Sequence, residues 1–136
     1  MKTLRSLSIA LLLALVTTNL VGPPAWADPV VVDCITDGSV TGSFTITGNV
    51  ITGHTSCAGT ATIPASVTSI GDNAFRSASS LVTVTFEANS NLASISDRAF
   101  YGASSLTSIA IPNLVTTIGQ HAFNGARALT TVTFEA

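Results

Sequence analysis

Residues 63 to 136 write one pattern three times, and few folds can accommodate that. The first copy runs Ile63-Pro64-Ala65-Ser66-Val67-Thr68-Ser69-Ile70-Gly71, then Ala74-Phe75, then Leu81, Val84 and Phe86. The second has Leu92, Ile95, Ala99-Phe100, Leu106, Ile109 and Ile111. The third has Ile111-Pro112, Val115, Ile118-Gly119, Ala122-Phe123, Leu129, Val132 and Phe134. Ile70, Ile95 and Ile118 are 25 and 23 residues apart, and so are Phe75, Phe100 and Phe123. The difference of two lies in the polar stretch Glu87-Ala88-Asn89-Ser90-Asn91, which reads as a longer turn. Lengthening confined to turns is what stacked coils tolerate.

One coil can be read from its chemistry. Leu-x-x-Val-x-Phe predicts a short strand whose alternate side chains turn inward. Pro64 and Pro112 end it, because proline cannot donate to a strand ladder. Val-x-x-Ile-Gly supplies a second inward pair and a turn. Asp72-Asn73-Ala74-Phe75 and its counterparts bring a small and an aromatic side chain inward, on an expected short helical turn. Ordering about 24 residues costs roughly 24 to 48 kcal/mol of backbone entropy. Burying six large apolar side chains returns only about 9 to 18 kcal/mol. A single coil therefore does not hold itself; neighbours must complete the burial and pair the strands. The expected fold is a mainly β repeat solenoid with short parallel strands, in three copies of 23 to 25 residues.

That period lies in the leucine-rich-repeat range. The string Ile-Pro-x-x-Val-Thr-x-Ile-Gly-x-x-Ala-Phe, followed by Leu-x-x-Val, resembles the BspA-type leucine-rich repeats of bacterial surface proteins. The resemblance covers residues 63 to 136. It departs at Ser96, where glycine is expected, and at Ala78, Ala103 and Ala126, where many repeats of the family carry a cysteine. It implies a non-catalytic, secreted or cell-surface protein that binds or adheres through its solenoid and needs no cofactor. It names no ligand, so the partner expected is an unspecified protein or surface ligand.

The two ends differ from the repeats. Lys2 and Arg5 precede an apolar run from Leu7 to Val16, and Pro23-Pro24 and Ala25-Trp26-Ala27 follow. This is the layout of a secretory signal peptide, with cleavage expected between Ala27 and Asp28. The run is about half of the ~20 apolar residues a membrane span needs, so no span is expected after cleavage. Residues 28 to 62 form a separate segment. Val40, Gly42, Phe44 and Ile46 alternate with polar residues, and Gly48-Asn49 offers a turn, so a hairpin or irregular first coil is expected. Cys34 and Cys57, an even pair in an exported chain, are expected to form a disulfide that closes this cap. At the other end Thr131 to Ala136 repeats the hexapeptide of residues 83 to 88, Thr-Val-Thr-Phe-Glu-Ala, which there leads into another coil. The expectation is a piece of a longer protein; the alternative is an open last strand able to self-associate.

Little else points to chemistry. From residue 28 onward three arginines stand against seven carboxylates, and no basic stretch suits a nucleic-acid backbone. No nucleophile elbow, calcium loop or phosphate-binding glycine loop is present. His54 and Cys57 could be read as a hydrolase pair, but their spacing has no special geometry and the disulfide is the better reading of Cys57. His121 occupies the place of Asn73 and Arg98, a position that accepts any polar side chain and so reads as solvated. The candidate binding residues are those expected to face outward: Thr83, Thr85, Ser108, Ala110, Thr131 and Thr133 on the strands. Tyr101 and Arg127, in the return loops, are the stronger contacts of the set, because Tyr and Arg anchor interfaces better than a Ser/Thr ladder. Regular threonines also admit a second reading, a surface for ice or glycan, which Ser108 and Ala110 interrupt.

Overall fold

The computed structural model describes residues 29–136. Ten strands form it: β1 (Val30–Thr36), β2 (Ser39–Thr47), β3 (Val50–Thr55), β4 (Gly59–Ile63), β5 (Ser69–Ile70), β6 (Leu81–Phe86), β7 (Ser94–Ile95), β8 (Ser108–Ile111), β9 (Thr117–Ile118) and β10 (Thr131–Phe134). Their order is β10-β8-β6-β4-β1-β2-β3-β5-β7-β9. Two parallel ladders, β4-β6-β8-β10 and β3-β5-β7-β9, run along the solenoid, and the antiparallel β1–β2 pair joins them across one end. The signal-peptide reading and its Ala27–Asp28 boundary lie outside the described residues.

The Leu-x-x-Val spacing has a local cause. Gly59 pairs with Leu81 but Thr60 pairs with Thr83, so Val82 is an extra residue that bulges out, and it is exposed. A bulge shifts the side-chain alternation by one. Leu81 and Val84 therefore both point inward although three residues separate them, while Thr83 and Thr85 face out. Inward pairs then stack in register: Ala61 on Val84, Ile63 on Phe86, Val84 on Ile109. Val67, Ile70, Phe75 and Leu81 are fully buried, and Leu92, Ile95, Phe100 and Leu106 repeat them in the next coil.

Residues 71 to 78 depart from the helical turn the sequence suggests: no helix forms among the described residues. Asn73 and Ser77 have φ of 59°, in the left-handed region, and their counterparts Arg98 and Gly102, then His121 and Gly125, share it. A left-handed residue at every fourth position cannot propagate a right-handed helix. Instead alternate N–H groups point along the solenoid axis. Asn73, Phe75 and Ser77 donate to the carbonyls of Asp97, Ala99 and Tyr101 one coil on. Arg98, Phe100 and Gly102 donate in turn to Gln120, Ala122 and Asn124. The turns thus make a third hydrogen-bonded face along the solenoid.

An aromatic column runs beneath that face. Phe75 and Phe100 stack with centroids 5.2 Å apart, and Phe100 and Phe123 at 5.3 Å. Phe44 and His54, both from the cap, close its first end against Phe75 at 5.7 Å. A carbonyl can only accept, so His54 Nδ1, 2.9 Å from the Ala74 carbonyl oxygen, carries the proton there. The Cys34–Cys57 disulfide is present, with 5.4 Å between Cα atoms, and both residues are buried in the same core.

Glycine in Ile-Gly serves close approach. A Cβ on Gly71 would sit 2.6 Å from the Ile51 carbonyl oxygen, and one on Gly119 would sit 2.6 Å from the Ser96 carbonyl carbon. Ser96, the departure from the repeat, lies between these two glycines in the stack.

Candidate functional site

Stacking turns each repeat position into a column of exposed side chains, and the columns are where a site can arise. On the strand face the structure aligns Thr60, Thr83, Ser108 and Thr131 in one row. Thr62 lies beside Thr85, and Ala110 beside Thr133, in a second. Thr60 and Thr62 come from outside the recognised repeats, so sequence reading missed them; β4 already carries the Thr-x-Thr alternation that would have revealed them. These hydroxyls are partly spent on each other: Thr62 Oγ1 and Thr85 Oγ1 are 3.0 Å apart. The row is flat, short and interrupted at Ala110.

The turn face is different. Asn73, Arg98 and His121 form one column and Arg76, Tyr101 and Asn124 its neighbour, both exposed. Arg76, Arg98, Tyr101, His121 and Asn124 line a shallow open cleft. The Arg76 guanidinium carbon lies 5.6 Å from the centre of the Tyr101 ring, within cation–π range. The Asn124 amide is placed to donate to His121 Nδ1 at 3.4 Å. The Asp97 carboxylate accepts the Gln120 backbone N–H at 2.8 Å.

Of the two loop residues singled out from sequence, the structure sets Tyr101 in this cleft and leaves Arg127 exposed outside its lining. Arg76, Arg98, His121 and Asn124 were not chosen from the sequence. The signal was available: aligning the copies by Phe75, Phe100 and Phe123 puts these positions side by side, but only lateral stacking says that neighbours in the alignment are neighbours in space.

A second shallow cleft is lined by His54, Ser56, Cys57 and the return residues Ser77 to Ser80. It holds no hydrolase pair, since Cys57 is disulfide-bonded and His54 Nδ1 is engaged with Ala74. A third lies between the long turn at Asn89–Asn91 and Pro112–Leu114, beside Glu135. No group of three or more His, Cys, Asp or Glu side chains among the described residues is placed to hold a metal ion. No helix among them is long and apolar enough to cross a membrane.

Comparison with known proteins gives the stacked coils a lineage. The family model described as BspA type leucine-rich repeat region matches residues 53–136, in six copies. No curated protein matches the chain. Among solved structures, the pneumococcal vaccine antigen PcpA is similar with a TM-score of 0.54 at 18% identity, over 79% of this chain and 38% of that one. The chain thus spans well under half of PcpA, and at that identity the likeness concerns the fold. A leucine-rich cell surface protein from Faecalibacterium prausnitzii aligns over 82% of this chain and 56% of its own, at 20% identity and a TM-score of 0.32. The matched repeats include β4, β6, β8 and β10, the same coils whose parallel strands, stacked phenylalanines and laterally bonded turns build the solenoid, and the chain belongs to the BspA-type leucine-rich repeat family.

Proposed function

We propose that this protein is a non-catalytic binding module, exported and displayed or released at the cell surface, which adheres to a protein or surface ligand. One observation carries the reading: coil stacking gathers Arg76, Arg98, Tyr101, His121 and Asn124, from three successive coils, into one exposed cleft. A backbone already held on a hydrogen-bonded ladder need not be ordered on binding, which favours recognition. The surface-protein character of the family and the apolar leader at Leu7 to Val16 support export. With few coils the contact area is small, so useful avidity requires several copies or several ligands.

The test is adherence of labelled protein to intact bacterial and epithelial cells. Saturable retention, competed by unlabelled protein, is the expected result; no retention of the folded protein on any cell surface overturns the reading. Export is checked separately by N-terminal sequencing of secreted material, expected to begin at Asp28.

The extended threonine rows favour a second reading, a glycan- or ice-binding strand face that uses Thr60, Thr62, Thr83, Thr85, Thr131 and Thr133. Replacing Thr83 and Thr85 by tyrosine would abolish such binding and leave cleft-dependent adherence intact. Self-association through the free edge of β10 belongs to the partner reading as well. Phe134 is 70% exposed there, and sedimentation at rising concentration, with Phe134→Ser as control, tests it.

A further inference from the structure

We infer that the turn-face cleft takes the carboxylate of an acidic glycan, a uronic-acid polymer, with Arg98 and Arg76 as its anion-binding residues; this rests on the binding reading above and names its ligand class. Residues 29 to 136 contain no lysine and only three arginines, against the six carboxylates of Asp33, Asp37, Asp72, Glu87, Asp97 and Glu135. Two of those three arginines line one cleft. The cleft has no aliphatic wall, so it lacks the apolar centre on which protein interfaces depend. It offers guanidinium forks, a phenol, an imidazole and an amide. Guanidinium pairs with a planar carboxylate through two parallel hydrogen bonds. The remaining groups suit hydroxyls, and a carboxylate among hydroxyls is the chemistry of a uronate. Asp97, the acidic neighbour of Arg98 in sequence, accepts the Gln120 N–H and is not among the residues that line the cleft.

The backbone supplies the second observation. Arg98 has φ of 55°, in the left-handed region, at a place where the first coil has asparagine with φ of 59°. Asparagine tolerates that conformation and arginine does so poorly. The second coil therefore carries a residue that its own turn disfavours. Strain of this kind points to a role beyond folding. The consequence is separable: Arg98→Asn should make the protein more stable and the site weaker.

The experiment measures retention of the purified protein on immobilised alginate at low salt, with dextran and poly-L-glutamate as controls. The protein is expected to bind alginate and to bind both controls at least about tenfold more weakly: dextran lacks the carboxylate and poly-L-glutamate the hydroxyls, and losing one charge-assisted pair or a pair of neutral hydrogen bonds is worth about that factor. Arg98→Asn and Arg76→Gln should each lower alginate affinity about tenfold or more. Arg98→Asn should at the same time raise the Tm by roughly 2–4 °C. Arg127→Gln, which removes an equal charge outside the cleft, should change neither. No retention on alginate, equal retention on poly-L-glutamate, or an Arg127→Gln loss matching that of Arg98→Asn overturns the inference. A protein that adheres to cells but ignores alginate removes the ligand class and keeps the binding function; one that adheres to nothing removes both.

Discussion

Phe100 shows what a single residue contributes. It is fully buried, with Phe75 stacked on one side and Phe123 on the other. Phe123 holds the same repeat position but has a stacked neighbour on one side, Phe100, and it is partly buried. Phe100→Ala is expected to cost about 3–5 kcal/mol of stability, through lost transfer energy and an unfilled cavity. Phe123→Ala should cost about half as much, because water already reaches that ring. Urea denaturation of both variants checks the ratio; equal losses would mean that the column does not act as a stack. At Gly119 the constraint is closeness. Gly119→Ala forces a methyl group against the Ser96 backbone and should destabilise by about 1–3 kcal/mol, by the same measurement.

At the scale of elements the cap and the coils are stabilised differently. The coils rely on three lateral ladders and on burial. The β1–β2 pair has many exposed positions, including Val31, Ile35 and Val40, and it turns few large side chains inward. The Cys34–Cys57 bond ties the β1–β2 pair to the segment between β3 and β4 across a separation of 23 residues. Closing a loop of that length restricts the unfolded chain by about 3 kcal/mol. Replacing both cysteines by serine should lower unfolding free energy by about that amount and leave the spacing of β4, β6 and β8 unchanged. A protein indifferent to the replacement would show that the cap is held by packing alone.

Across the whole molecule, stability should fall from the capped end to the other. Val84 in β6 is 2% exposed, whereas Val132 in β10 is 42% exposed, although both lie in the same hexapeptide, Thr-Val-Thr-Phe-Glu-Ala. Ile70 and Ile95 are buried, but Ile118, their equivalent, is 42% exposed. A solenoid's stability is a sum of coil terms and interface terms, and in a polypeptide of residues 29–136 the coil of β9 and β10 packs on one neighbour where the coils before it pack on two. Native-state hydrogen exchange should therefore show slow amides in β4, β6 and β8 and fast ones in β9 and β10. Uniform protection along the chain would contradict that additive picture.

The coil itself was legible before any coordinates, because Ile70, Phe75, Leu81 and Val84 recur at fixed offsets and only inward-facing stacked positions impose such a rule. The disulfide was legible from an even cysteine count read together with the expected export of the chain. The turns at residues 71 to 78 were not, since left-handed backbone at Asn73, Arg98 and His121 leaves no mark in residue types that range from asparagine to arginine. Nor was the cleft, since Arg76, Tyr101 and His121 come from three different coils and meet only when the coils are laid side by side. The hexapeptide written twice gives the reason. Periodicity is a property of the chain and fixes which side chains face inward within a coil; burial, lateral hydrogen bonding and the gathering of surface groups belong to pairs of coils, and those exist only once the coils have stacked.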